Sequence, residues 1–202
     1  MGIITFSSPK TLNNMGRQVR KELQLATDDM VADEDVAVIL LTGSGKAFSA
    51  GGDVSLMAEG FTSLEGFNYM EDHYSWVKKF YNLPKPTIAA VNGYAVGGGF
   101  SVAMLCDIIF ASENAKFGMA FRHVGLVPDL GILYTLPKLI GMNKTKELAF
   151  TGRVIGVQEA IEMGIINKVI PDEKLFEESF NFAKELAQGP RVSYRMTKLL
   201  LN

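Results

Sequence analysis

Cysteine is almost absent from this sequence. Cys106 is the only one in 202 residues, so no internal disulfide can form and no thiolate cluster can hold a metal. Histidine is nearly as scarce: His73 and His123 stand alone, and neither belongs to a Cys/His pattern with metal-ligand spacing. Charge of either sign is not in excess. Twenty Lys and Arg against 22 Asp and Glu leave a formal net charge of −2, which supplies no overall basic surface for nucleic acid. A lone thiol fits a reducing compartment, and a cytoplasmic protein is expected. Met1 to Phe6 carries no basic n-region and no cleavage pattern, so no signal peptide is expected.

The composition that remains, 48% hydrophobic and 21% charged, is that of a globular chain with enough length for one well-buried core. Disordered, collagen-like and small disulfide-scaffold classes are excluded. Pro86 to Cys106 holds no charged residue and could span a bilayer by length. Asn92-Gly93 and Gly97-Gly98-Gly99 interrupt it with turns, however. A buried strand, a glycine loop and a buried helix start are expected there instead.

Apolar patterning alternates between strand and helix. Ile3 to Phe6, Val36 to Leu41, Thr87 to Val91, Ile108 to Ala111 and Ile166 to Ile170 read as strands. Val36 to Leu41 is a continuous apolar run of the kind found in sheets covered on both faces. Helices are expected at about Gly16–Asp33, Ser63–Asn82, Phe100–Leu105, Leu130–Ile140, Lys144–Phe150, Val157–Met163 and Glu173–Ala187. Such alternation implies an α/β fold with a largely parallel sheet. Arg191 to Asn202 reads as the opening turns of a further helix, with an apolar end at Leu199, Leu200 and Leu201. Two parts are therefore expected, a core over 1–190 and the start of a C-terminal helical or oligomerisation segment over 191–202.

Three loops carry candidate chemistry. Gly43 to Asp53 follows a buried strand but fails as a phosphate loop, because Leu40 and Ala47 stand where a glycine and a Ser/Thr are needed. Ser49 is also not in a nucleophile elbow. The run of small residues either lets backbone N–H groups approach a ligand or makes a tight strand-to-helix connection. Asn92 to Gly99 has the same setting, and amides at a helix start attract an anion or developing oxyanion. Two such loops on neighbouring strands can form an oxyanion hole. In the third loop, Asp129 is the only charged residue between Arg122 and Lys138. A carboxylate in apolar surroundings can move protons near neutrality, while an Asp before a helix can equally be an N-cap. His73 reads as solvated, His123 as structural or site-lining, and Ser101 lacks a base. Met57, Met104 and Met119 read as core or pocket filling.

Taken in order, Lys46-Ala-Phe-Ser-Ala-Gly-Gly-Asp53, Lys85-Pro-Thr-Ile-Ala-Ala-Val-Asn-Gly-Tyr-Ala-Val-Gly-Gly-Gly99, Cys106-Asp-Ile-Ile109, Gly125-Leu-Val-Pro-Asp129 and Thr151-Gly-Arg153 resemble the crotonase (enoyl-CoA hydratase/isomerase) superfamily over about Ile3 to Ala187. The resemblance implies a spiral of ββα units, usually trimeric, that binds acyl-CoA thioesters. It also implies an oxyanion hole made by the amides of Ala50 and Gly98, with CoA or substrate contacts at Leu12, Ser49, Asp53, Val54 and Phe121. No metal or redox cofactor is expected, since the substrate brings its own CoA handle.

Departures from the family pattern bear on the reaction. Where hydratases of this family carry two glutamates, this chain has Ser101 and Phe121. Asp129 matches the aspartate of isomerase branches. The expectation is an acyl-CoA isomerase with Asp129 as acid and base. A non-catalytic acyl-CoA binder and a hydratase with atypical residues are the alternatives. A homotrimer or dimer of trimers is expected from the apolar end and the resemblance.

Overall fold

Val38 to Leu41 is wholly buried because it enters an inner strand with neighbours on both edges and both faces. The computed structural model describes residues 1–55, 60 and 62–202. Five parallel strands form the larger sheet: β1 (Gly2–Phe6), β2 (Ile39–Gly43), β4 (Thr87–Val91), β6 (Ile108–Ser112) and β9 (Lys168–Ile170), side by side in that order. Side chains alternate across it as a strand's period of two requires. Ile39, Leu41, Ala89 and Val91 enter the main core. Leu40, Ile88 and Ala90 face the opposite way, with Leu175 and Ala183 of a late helix.

Apolar patterning gave no sign of a second sheet. Ala47–Ser49 (β3), Tyr94–Val96 (β5), Lys116–Gly118 (β7) and Val154–Gly156 (β8) form it in that order, with only the last pair antiparallel. Each is three residues long; the first two lie in stretches read as loops and the last two in stretches given no element. The chain therefore repeats one step three times. A strand of the large sheet leads into a short strand of the small one and then into a helix. The helices are Ser63–Tyr81 (α2), Gly98–Ala103 (α3) and Ile132–Thr151 (α4). This is the expected spiral of ββα units.

The remaining helices are Arg17–Ala32 (α1), Val157–Glu162 (α5), Leu175–Ala187 (α6) and Arg191–Leu201 (α7). The two helices expected across 130–150 are joined into α4, but Gly141 leaves the helical region (φ 78, ψ 163) and marks their junction. Thr62 and Glu65 make a capping box at the start of α2. The ammonium of Lys85 satisfies two carbonyls at the end of α1, Met30 at 2.6 Å and Asp33 at 2.7 Å. On α7, the buried Lys198 reaches the carboxylate of Asp107 at 2.7 Å and the Lys85 carbonyl at 3.2 Å. Leu199, Leu200 and Leu201 remain exposed. Met104 and Met119 lie in the core, while Met57 falls outside the described residues. No described helix is long and apolar enough to cross a membrane.

Candidate active site

The loop entering α1 and the loop after β3 are stitched together by buried polar side chains. Asn13, wholly buried and left-handed (φ 57), donates from its amide nitrogen to the carbonyls of Ser44 (2.9 Å) and Ala47 (2.7 Å). Its side-chain oxygen accepts from the Ser8 amide at 2.8 Å. Ser49 donates from Oγ to the Asn13 carbonyl at 2.7 Å and accepts from the Gly51 amide at 3.2 Å. With both capacities used in a wholly buried position, the Ser49 hydroxyl holds these loops together, and Ser49 is not among the residues lining the cavity described below. The Leu12 carbonyl accepts from the Ala50 amide at 2.9 Å. That bond overturns Ala50 as an oxyanion donor. The Leu12 side chain, exposed, is not on the cavity described below.

The glycine loop before α3 presses against this unit. A Cβ on Gly99 would sit 2.0 Å from the Ser49 carbonyl oxygen, so only glycine allows the approach. Within the two loops, the Gly97 amide donates to the Gly118 carbonyl at 2.8 Å, and the Ala50 and Gly51 amides are engaged as above. The Gly52 and Gly98 amides have no acceptor among the described residues. Gly98 is the first residue of α3, where an N–H has no partner within its own helix. Gly52 was missed from the sequence, because the motif points to the loop but not to the amide left over.

Both glycines line a cavity of about 510 Å³, together with Asp129 and Phe121. Val54 is also on it and half exposed, whereas Asp53 is not; one oxygen of Asp53 accepts from the Ser55 amide (3.0 Å) and hydroxyl (2.6 Å). Asp129 does not cap α4, whose N-cap is Gly131. Instead the backbone turns left-handed at Leu130 (φ 51) and Gly131 (φ 82). Its Oδ1 is buried without a hydrogen-bond partner. Burial pushes its pKa up from 3.8 to about 6, against the smaller opposing pull of its own backbone N–H and of Arg20. It is the only carboxylate among the described residues lining the cavity. Ser101 is wholly buried and donates to the Gly97 carbonyl at 3.3 Å.

His73 is a further correction. It is not solvated but half-buried, its Nε2 against the guanidinium of Arg20, and both side chains line the cavity. His123 lines it too, with Nε2 3.4 Å from the Gly152 carbonyl. Helical spacing could have flagged the first pair. Arg20 precedes the buried Leu23 and Thr27 by three and seven positions, and His73 precedes Trp76, Val77 and Phe80 by three, four and seven. Among the described residues, no group of three or more His, Cys, Asp or Glu could hold a metal ion.

Comparison with known proteins gives one consistent result. The model for "Enoyl-CoA hydratase/isomerase" matches residues 1–202. A probable enoyl-CoA hydratase of Mycobacterium tuberculosis is 37% identical over 202 residues, covering 100% of this chain and 77% of the relative. An enoyl-CoA hydratase/isomerase from Cupriavidus metallidurans superposes with a TM-score of 0.94 at 30% identity, over 98% of this chain and 75% of that one. A Geobacillus kaustophilus structure titled as an enoyl-CoA hydratase subunit gives 0.91 at 37% identity, over 97% and 75%.

Proposed function

The chain belongs to the enoyl-CoA hydratase/isomerase family, and within that family of acyl-CoA enzymes we propose that it is an isomerase shifting a double bond along an enoyl-CoA. The observation that carries this reading is Asp129: a half-buried carboxyl on the cavity, its Oδ1 buried without a hydrogen-bond partner, beside the Gly52 and Gly98 amides that have no acceptor among the described residues. In a 3-enoyl-CoA the thioester oxygen sits between those amides, which acidifies the C2 proton. Asp129 removes that proton, the electron pair passes into the carbonyl, and the enolate oxygen is held by the two N–H groups. Collapse of the enolate carries the double bond to C2–C3 while Asp129 returns its proton to C4. The carboxylate ends as it began and no water is consumed.

A second reading, hydration with Asp129 as the sole acid–base group, is favoured by the names of relatives, which are mostly hydratases. Presenting 3-enoyl-CoA and 2-enoyl-CoA separately and following both products by chromatography separates the two. The isomerase reading expects 3-enoyl to 2-enoyl conversion that outpaces hydration and is lost in Asp129→Asn. Faster hydration of the 2-enoyl substrate, or an Asp129→Asn protein isomerising at the wild-type rate, would sink it. Tight acyl-CoA binding without any turnover would instead mark a non-catalytic homologue.

We also propose a homotrimer or dimer of trimers. In its support, α7 presents Val192, Met196, Leu199 and Leu200 to solvent, more apolar surface on one helix than a monomer usually tolerates. Light scattering that reads the 22.1 kDa of one chain at micromolar concentration would refute it.

A further inference from the structure

A second cavity, of about 420 Å³, lies between α1 and α2. It shares Met15, Arg20, His73 and Leu130 with the site cavity, so these four side chains form the wall between the two. Each half of the wall is anchored. Met15 and Leu130 are buried, and their ends lie 2.9 Å and 3.2 Å from where a Gly98 Cβ would be, against the loop that carries the Gly98 amide. Arg20 reaches across from α1 to α2, where its guanidinium meets Nε2 of His73. A guanidinium can only donate, so Nε2 accepts. Both side chains are half-buried and held by partners, which makes them a closed bar and not a place for a ligand. Farther along the same two helices, Trp76 donates from Nε1 to Thr27 Oγ1 at 3.2 Å, a second tie between α1 and α2. Behind the bar, Leu23, Gln24 and Trp76 line the second cavity and are absent from the described lining of the first.

The near side of the wall suits an acyl chain, with Phe121, Val124, Leu126 and Val127 around it. Asp129, where the reacting carbons would lie, is followed directly by Leu130 of the wall and feels Arg20 electrostatically. A chain that passes Asp129 therefore runs towards the bar. Every methylene that fits before it gains by leaving water. The next one has to break a charge-assisted hydrogen bond in a half-buried place, which costs more than one methylene returns. We infer that the Arg20–His73 pair is a stop that sets the longest acyl group this site accepts, with the space between α1 and α2 shut off behind it. The substrates are then acyl-CoA thioesters of limited chain length, and Arg20 and His73 determine that limit without bonding to the substrate. This inference rests on the acyl-CoA site described above and not on the isomerase chemistry.

Calorimetric titration of the full chain with saturated, unreactive acyl-CoAs from butyryl to dodecanoyl tests it. Wild-type affinity should rise about fourfold per added carbon up to one length and then level or fall. Arg20→Ala and His73→Ala each remove one side of the stop. In either variant the rise should run on for at least two more carbons, so that the first acyl group past the wild-type limit binds about tenfold tighter than it does to wild type. Gln24→Trp fills the space behind the stop and leaves the site cavity alone. By itself it should change no affinity, and added to Arg20→Ala it should cancel the gain. A wild-type series that rises without a break through dodecanoyl overturns the inference. So does a break at the same length in both truncated variants, whether or not all lengths bind more weakly. Weaker binding of only the longer members by Gln24→Trp alone overturns it too, because their tails would already be entering the second cavity; this arm holds even where a truncated variant does not fold. Binding of no acyl-CoA at all would overturn the acyl-CoA site and this inference with it, whereas binding without turnover would count against isomerisation alone.

Discussion

Replacing Asp129 by Asn should make the protein more stable at alkaline pH while disabling it. The carboxyl is raised from 3.8 to about 6 by burial, so the native state holds its proton more tightly than the unfolded chain does. Stability therefore falls as pH rises through that window, and the full cost is present above about pH 6. A rise of that size corresponds to at most about 3 kcal/mol. Asn keeps the shape but leaves its own amide poorly partnered in the same place, which takes back about half of the gain. A net stabilisation of about 1–2 kcal/mol at pH 8 follows, or roughly 3–6 °C in Tm for a chain of this size. At pH 4.5 the native carboxyl is protonated but the unfolded one is still mostly ionised, so about 1 kcal/mol of the cost remains; this is close to the penalty of the Asn amide, and the two proteins should melt nearly together. Thermal melts of both at pH 4.5, 6 and 8 read the effect directly. An equal Tm difference at all three values, or a less stable variant at pH 8, would refute the argument that a buried charge at Asp129 is what the fold tolerates for function.

Isomerisation kcat/KM on a 3-enoyl-CoA should rise about tenfold per pH unit up to about pH 6 and then level, because only the deprotonated Asp129 removes a proton; a profile flat from pH 5 to 8 speaks against it as the base. Gly98→Ala would place a Cβ 2.9 Å from the Met15 methyl and 3.2 Å from a Leu130 methyl. Those flexible ends can move, so the fold should survive by circular dichroism while kcat falls by up to about 10²–10³ as the oxyanion amide is displaced. Lys198→Met leaves the Asp107 carboxylate without its ammonium partner, a pair whose Lys side chain is 8% exposed and whose Asp is 27% exposed. Urea unfolding should register a loss of about 3 kcal/mol, and Asp107→Asn in the same chain should recover part of it.

The inner strands of the large sheet were legible because they are apolar on both faces; Thr87–Val91 was read to the residue. The second sheet was not, because Ala47–Ser49, Tyr94–Val96 and Lys116–Gly118 are too short for a period of two to stand out from loop sequence. The same limit acts at the site. Small residues on two loops signal close approach, but whether Ala50 or Gly52 offers its N–H depends on which amide meets the Leu12 carbonyl. That is set by the pairing of segments about forty residues apart, and motif spacing does not encode it. Asp129 stood out from its apolar neighbours, but these left proton transfer and N-capping equally open, and only the family resemblance favoured the first. Arg20 and His73 were hidden by polar flanking residues, although each sits at helical spacing from a buried stripe.

Leu130 links the site's two halves. A non-glycine residue at φ 51 costs on the order of 1–3 kcal/mol, and persists only where packing on it is good. Its side chain is 8% exposed, and its Cδ1 lies against the space where a Gly98 Cβ would be. The backbone turn that swings Asp129 out of a capping position is therefore held by the residue packed on the loop that carries the Gly98 amide. Relaxing the turn would withdraw Leu130 from that loop, and widening the loop would free the turn. Asp129 and the Gly98 amide are thus fixed relative to each other by one buried leucine, which is what the proposed proton transfer between C2 and C4 beneath a held thioester oxygen requires.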